Sequence, residues 1–153
     1  PEKFPPHTEL LDLQPLPITA LHNPQYEALY QDSISYLNPI QTQVFQTVYE
    51  SDTNVLVAAR AGSGKGLIAE FAMLRLFATQ PEAKILYVNP VKDVCERKFH
   101  DWTELFQNKL GIMIGRFIGD PKEDTVTLGK CKVIITTPGH LDYYTNKGLH
   151  FSR

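Results

Sequence analysis

A chain of 153 residues, 42% of them hydrophobic, is long enough to bury one sizeable core. Its net charge of −2, at 21% charged residues, excludes a disordered polyelectrolyte and a surface built wholly as a nucleic-acid footprint; any RNA or DNA contact must be local. No apolar run approaches the roughly 18 residues that a membrane span requires, and no secretory leader pattern opens the chain.

In chain order, residues 1–22 carry four prolines after Pro1, which exclude a helix through most of the segment. Leu10, Leu11, Leu13, Leu16 and Ile18 make it too apolar for a free linker, so the expectation is an extended arm laid on a folded surface. Asn23-Pro24 and Asn38-Pro39 each place a capping residue before a proline at the first helical position, predicting helices over 25–30 and 40–50. In the second, Ile40, Val44 and Val48 share one face. Residues 54–58 are an apolar run that reads as a strand, and 64–78 as the helix after it.

Further apolar runs over 84–88, 112–117 and 132–136 read as buried parallel strands, with a helix over 91–110 between the first two. Val94, Lys98, Trp102, Leu105 and Phe106 form the apolar stripe of that helix, the lysine contributing its stem. Trp102, Tyr87, Phe99 and Phe106 are expected in the core rather than in base stacking. Alternating strands and helices predict an α/β fold, an open, mostly parallel sheet with right-handed crossovers. Ligands of such sheets bind beyond the carboxyl ends of the strands. The glycine-rich segment after residue 58, Asn89-Pro90 and Thr137-Pro138 all fall at such ends, which predicts one functional edge. Cys95 and Cys131 lack metal-ligand spacing and fit a reduced intracellular compartment, and the five histidines form no i, i+4 metal pair. Tyr143 and Tyr144 are adjacent aromatics with no further signal. The ends at Pro1 and Arg153 suggest a piece of something larger.

The chemistry concentrates at Ala59-Arg60-Ala61-Gly62-Ser63-Gly64-Lys65-Gly66. A G-x-x-x-x-G-K pattern between a strand and a helix is a phosphate-binding loop: Gly62 and Gly64 let backbone amides turn toward phosphate oxygens, the helix start adds its positive end, and Lys65 supplies a charge. Gly66 stands where the pattern requires Ser or Thr, whose hydroxyl ligates the Mg²⁺ carried by a nucleotide. Arg60 adds a cation that either attracts phosphate or occludes the loop.

Taken in order, Asn38-Pro39-Ile40-Gln41-Thr42-Gln43-Val44-Phe45, the glycine loop, Asn89-Pro90-Val91, Gly119-Asp120 and Thr136-Thr137-Pro138 resemble the first RecA-like domain of superfamily-two DExD/H-box RNA helicases of the Ski-like branch. With the arm preceding them, they are similar to the second, carboxy-terminal cassettes of tandem-cassette spliceosomal helicases. The resemblance implies a RecA-like domain over 23–153, ending before the acidic motif that would hold Mg²⁺, with 1–22 as an arm packed on the fold. It implies ATP or ADP on residues 59–66, with Gln41 reading the adenine edge. Asn89, Pro90, Thr137 and Pro138 then correspond to positions that grip an RNA backbone, and the partners are the rest of the helicase chain and spliceosomal proteins in the nucleus, not a membrane.

Against that family, Gly66 removes a Mg²⁺ ligand, Asp93 and Val94 replace a small residue and a leucine, and Gly139 replaces a glutamate. These departures imply a catalytically degenerate nucleotide-binding module, with weak or absent RNA contact and no metal site, that regulates an active cassette and docks proteins. The alternative is an active RNA-stimulated ATPase with an unusual loop. A small-molecule kinase is disfavoured because Gln41 and Thr137-Pro138 have no role in one.

Overall fold

The structure, a computed structural model, describes residues 14–60 and 62–146. They fall into two compact units, one reaching Pro81 and the other starting at Glu82. Leu10, Leu11 and Leu13 of the arm, and Ala61 of the loop, lie outside the described residues.

In the first unit the remainder of the arm is tied down by backbone. Ile18 N–H donates to Ser35, Leu37 N–H to Leu16, and Leu16 N–H to the Thr42 hydroxyl. A short 3₁₀ turn, Ile18–Leu21, buries Ile18 and Leu21. Helix α1, Pro24–Glu27, starts where Asn23 accepts from the Gln25 and Tyr26 amides. It is shorter than the expected 25–30, because the next residues close i→i−3 bonds, such as Leu29 to Tyr26, and pass into turns.

Helix α2, Pro39–Tyr49, begins with a reciprocal capping box between Asn38 and Gln41. Its buried face is Gln41, Thr42, Phe45 and Val48, not the Ile40–Val44–Val48 line expected. The capping box and the Thr42 hydrogen bonds turn Gln41 and Thr42 inward, leaving Ile40 and Val44 half-buried. Helix α3, Lys65–Thr79, packs on α2 through Phe71, whose ring meets Tyr30, Phe45 and Tyr49 edge-on at 5.6–6.4 Å. Such aromatic pairs add about 0.5–1.5 kcal/mol each beyond the area they bury.

Residues 54–58 are not a strand. A strand needs a hydrogen-bonded neighbour as well as an apolar sequence; no described residue of this unit supplies one, and Leu56 is 94% exposed.

The second unit is α/β. Strands β1 (Ile85–Val88), β2 (Ile114–Arg116) and β3 (Val133–Thr136) form a parallel sheet in the order β1-β3-β2, with Ile85 and Ile114 both registered on Val133. Only central β3 is buried throughout; on β1, an edge of this sheet, Leu86 and Val88 are exposed. The expectation of three fully buried strands therefore holds for one.

Helix α4, Lys92–Trp102, runs through a π-turn, Thr103–Gln107, into α5, Asn108–Leu110. Trp102 and Phe106 are both 0% exposed, and Tyr87 meets the indole edge-on at 4.9 Å, so these aromatics are core. The Lys98 ammonium lies 5.5 Å from the indole ring centre. Helix α6, Pro121–Lys130, was not foreseen, although Asp120-Pro121 repeats the cap-then-proline signature of α1 and α2; Asp120 accepts from the Lys122 amide. Helix α7, Pro138–Asn146, follows β3. Cys95 and Cys131 are buried free thiols. Among the described residues no helix is long and apolar enough to cross a membrane.

Candidate functional site

The glycine loop leads directly into α3. Gly62 (φ +79°) and Gly64 (φ +90°) occupy the left-handed region that only glycine enters without strain. Among the described residues no side chain caps the first turn of α3, which leaves its leading amides able to take an anion. The loop closes on itself: the Ser63 amide and hydroxyl both donate to the Arg60 carbonyl, and the Lys65 ammonium donates to Ala59 O at 2.5 Å. Arg60 and Lys65 are exposed. Gly66, the second residue of α3, has no side-chain oxygen to offer a cation, and the Ser63 hydroxyl faces Arg60 instead.

The start of α2 abuts this loop. Asn38 Nδ2 donates to Ser63 O at 2.8 Å and Gln41 Nε2 to Gly64 O at 3.2 Å. Their oxygens accept from each other's backbone amides, Gln41 N at 2.8 Å and Asn38 N at 2.9 Å. Gln41 is 7% exposed. The family resemblance gave Gln41 the adenine edge and the sequence assigned Asn38 only a capping role; contact of both with the loop was not foreseen, and the capping box was the readable signal.

In the second unit, Asn89-Pro90 follows β1 and Thr137-Pro138 follows β3. The Asn89 amide donates to Thr136 O, and its side chain accepts from Val91 N–H and donates to the Tyr87 hydroxyl. Thr137 Oγ1 accepts from the His140 amide at 3.4 Å. These two segments are thus brought to one sheet edge. Gly119-Asp120 follows β2, the Gly119 amide held by Asp124.

A cavity of about 320 Å³ opens beside that edge, lined by Lys92, Cys95, Arg116, Thr137 and His140. Arg116 pairs with Glu96 and lies over the Phe99 ring at 4.5 Å. His140 Nδ1 is buried with no hydrogen-bond partner among the described residues. The Cys95 thiol, pushed up by burial, points its Sγ at Asn89 O and Thr136 O. Arg116 and His140 escaped sequence reasoning; a lone cation at the end of an apolar run was the signal available. Asp93 sits in the first turn of α4, where the helix dipole favours a carboxylate. Gly139 is exposed, and a Cβ there would meet nothing closer than Thr137 Oγ1 at 4.0 Å. Tyr143 is exposed, whereas Tyr144 is buried. Among the described residues no group of three or more acidic, His or Cys side chains is placed to hold a metal ion.

Residues 38–153 match the model of the DEAD/DEAH box helicase family. The chain is 48% identical over 147 residues to the U5 small nuclear ribonucleoprotein 200 kDa helicase of Homo sapiens, covering 96% of this chain and 7% of that protein. It is 46% identical over 142 residues to the activating signal cointegrator 1 complex subunit 3 of Danio rerio, covering 93% of this chain and 9% of that protein. The chain therefore spans less than a tenth of the relatives it matches.

Proposed function

This chain belongs to the DEAD/DEAH box helicase family, and we propose that it is the first RecA-like domain of a cassette that holds a nucleotide without turning it over efficiently. In this reading the cassette regulates an active one in the same chain and docks proteins, as part of an ATP-dependent RNA helicase of pre-mRNA splicing in the nucleus. The observation that carries the reading is Gly66. Position 66 is the second residue of α3, where the family's hydroxyl would reach a metal, and a glycine there withholds the ligand while Gly62, Gly64 and Lys65 keep the phosphate cradle.

Residues 59–66, with Gln41 close by, are the proposed contacts for ATP or ADP. A bound nucleotide would supply the phosphates, and the chain would supply the amides of the first turn and the Lys65 charge. Asn89, Pro90, Thr137 and Pro138 are retained as a degenerate RNA edge, with Arg116 neutralised by Glu96. The relatives are a ribonucleoprotein helicase and a cointegrator-complex subunit, and identities of 48% and 46% do not separate them as guides to this chain. Splicing is preferred on the arm and motif order.

The test is Lys65→Ala in the complete protein. RNA-stimulated ATP hydrolysis stays at the unmutated rate, while protection of the peptide around residues 60–67 by ADP, read by hydrogen exchange, disappears. A loss of the RNA-stimulated turnover would establish an active cassette instead.

A further inference from the structure

Strand β2 pairs on one side only, with β3. Its ladder uses alternate residues: Met113 O accepts from the Val133 amide, and the Phe117 amide donates to Ile135 O. The backbone groups of Ile114, Arg116 and Ile118 therefore face away from the sheet. Such a row is a template for another strand, and proteins commonly blunt or cover it. Here two side chains blunt its ends. Gln107 Oε1 accepts the Ile114 amide at 3.2 Å, and Asp124 Oδ1 accepts the Ile118 amide at 2.8 Å. Between them, the Arg116 amide has no partner among the described residues.

The chain reverses across the sheet at β2: it steps from β1 to the far edge and then back to the central β3. With right-handed crossovers, that places α4 and α6 on opposite faces. Both flank the edge. A groove of about 390 Å³ lies between them, with Phe99 and Thr103 on one wall and Val126 and Thr127 on the other. Helix α6 sits close because Gly115 has no side chain; a Cβ there would run into Cys131 Sγ and Thr127 Cγ2. At the rim, Ile118 and Val126 are 55% and 61% exposed.

Three features decide what fits. An edge sunk between two helices admits a single extended strand, but not the edge of a second copy, whose own helices would collide first. Arg116, the one cation of the strand, is paired with Glu96, so nothing on the floor favours a nucleic-acid backbone. The ends of the groove are oppositely charged: Glu123 lies in the first turn of α6 and Lys130 in its last, about 10 Å apart. They complement a segment with a cation and an anion about three residues apart in extended chain.

We propose that the groove over β2 is a docking site for an extended segment of a partner protein, taken up as one further strand on the Arg116 N–H and C=O. Apolar side chains of the segment meet the walls, with a basic residue toward Glu123 and an acidic one toward Lys130. In strand addition the main chain supplies affinity and the side-chain pockets supply selectivity. With few backbone groups on offer, the walls and end charges must do most of the selecting. This gives the protein-docking part of the function proposed above a place, and it rests on that part alone, not on what the glycine loop holds.

The experiment selects short peptides from a random phage-displayed library on the complete protein and measures the enriched sequences as synthetic peptides by fluorescence anisotropy. Hydrogen exchange resolved at the Arg116 amide accompanies it. Enriched peptides carry apolar residues between a basic and an acidic end, and their binding slows exchange at Arg116. Arg116→Pro removes the uncommitted amide where an edge strand tolerates proline, and weakens binding by at least about tenfold. Arg116→Ala, which keeps the amide, changes it by less than about threefold. Val126→Lys, at an exposed wall position, also weakens it by about tenfold, so the result does not hinge on one variant folding. Exchange in β3 checks that the sheet persists. Peptides that bind Arg116→Pro and Val126→Lys as tightly as the unmutated protein overturn this site and leave protein docking to another surface. An Arg116 amide already protected in the free protein, or protected by raising the protein concentration alone, means that the chain itself or a second copy fills the edge, and the proposal falls. A library that yields no binder removes both this site and the docking of extended segments on which it rests.

Discussion

The Tyr144 phenol donates a hydrogen bond to the carboxylate of Asp124, a side chain that is 0% exposed. The same carboxylate accepts the Ile118 amide at 2.8 Å and the Gly119 amide at 2.9 Å. One buried acid on α6 therefore fastens the segment after β2 to α7, the helix that begins at Thr137-Pro138. Around it lie Phe117, Cys131 and Ile134, with the Phe117 and Tyr144 rings edge-on at 5.1 Å. Two of the segments that carry the family resemblance, Gly119-Asp120 and the helix starting at Thr137-Pro138, are thus set by a single side chain that no motif singled out.

Replacing that acid should be costly. Asp124→Asn keeps the shape but turns an NH₂ toward one of its donors, leaving a buried amide or the phenol without an acceptor. The expected loss is on the order of 2–4 kcal/mol, from one or two unsatisfied buried groups. Tyr144→Phe removes only one hydrogen bond and should cost about 1–2 kcal/mol. Urea unfolding followed by the fluorescence of Trp102, the only tryptophan in the chain, reads both. Equal midpoints for Asp124→Asn and the unmutated chain would refute the anchoring role.

The same pair sets an alkaline limit. Burial, and then the hydrogen bond and negative charge of Asp124, push the Tyr144 phenol above its ordinary value of 10.0; burial and Glu70 do the same to Tyr30 in the first unit. A group whose pKa is higher folded than unfolded contributes stability that is fully present below the unfolded pKa and is lost as pH rises toward the folded one. Stability should therefore be insensitive to these phenols up to about pH 10 and then fall by roughly 1.4 kcal/mol per pH unit for each. In Tyr144→Phe the fall between about pH 10 and 11.5 should be shallower. An unchanged slope in urea midpoints across that range would contradict the assignment.

The part of the fold legible in the sequence was the part decided locally. Asn38-Pro39-Ile40-Gln41 fixed its own helix start, because cap, proline and capping box all lie within four residues. The strand at 132–136 was legible because Val133, Ile134 and Ile135 face no solvent on either side. Residues 54–58 are comparably apolar but have no partner strand among the described residues of their unit, and composition does not report partners. Leu86 and Val88 were read as buried for the same reason, since being an edge is a property of the sheet and not of the strand. At the site, Gly62, Gly64 and Lys65 were legible from their spacing. The clasp of Asn38 and Gln41 on the Ser63 and Gly64 carbonyls was not, because it joins positions 23 and 25 residues apart.

Gly64 is the loop position with least freedom. Its φ of +90° costs an L-residue about 1–2 kcal/mol, and a methyl group would also lie 2.7 Å from Asn38 Nδ2. Gly64→Ala should therefore displace both carboxamides and weaken ADP protection of the loop by at least about tenfold, while α3 keeps its exchange pattern beyond the first turn. A variant that binds ADP as tightly as the unmutated chain would show that the loop tolerates a different backbone.

Gly139 offers the reverse case. It lies one residue into α7, it is exposed, and the nearest atom to an added Cβ is 4.0 Å away, so the backbone accepts a larger side chain there without rearrangement. Glycine is the weakest ordinary residue in a helix, by up to about 1 kcal/mol against alanine, and a carboxylate in the first turn gains about 0.3–1 kcal/mol from the helix dipole. Gly139→Glu should therefore raise stability by about 0.5–1.5 kcal/mol, read as a higher urea midpoint at unchanged slope. The gain should shrink in 1 M salt, where the screening length falls to about 3 Å. Loss of stability would mean that position 139 is a glycine for a steric reason the cavity beside His140 does not reveal. The expected gain would show that the fold itself does not require glycine at this position, since the backbone could carry the larger side chain that the family resemblance leads one to expect there.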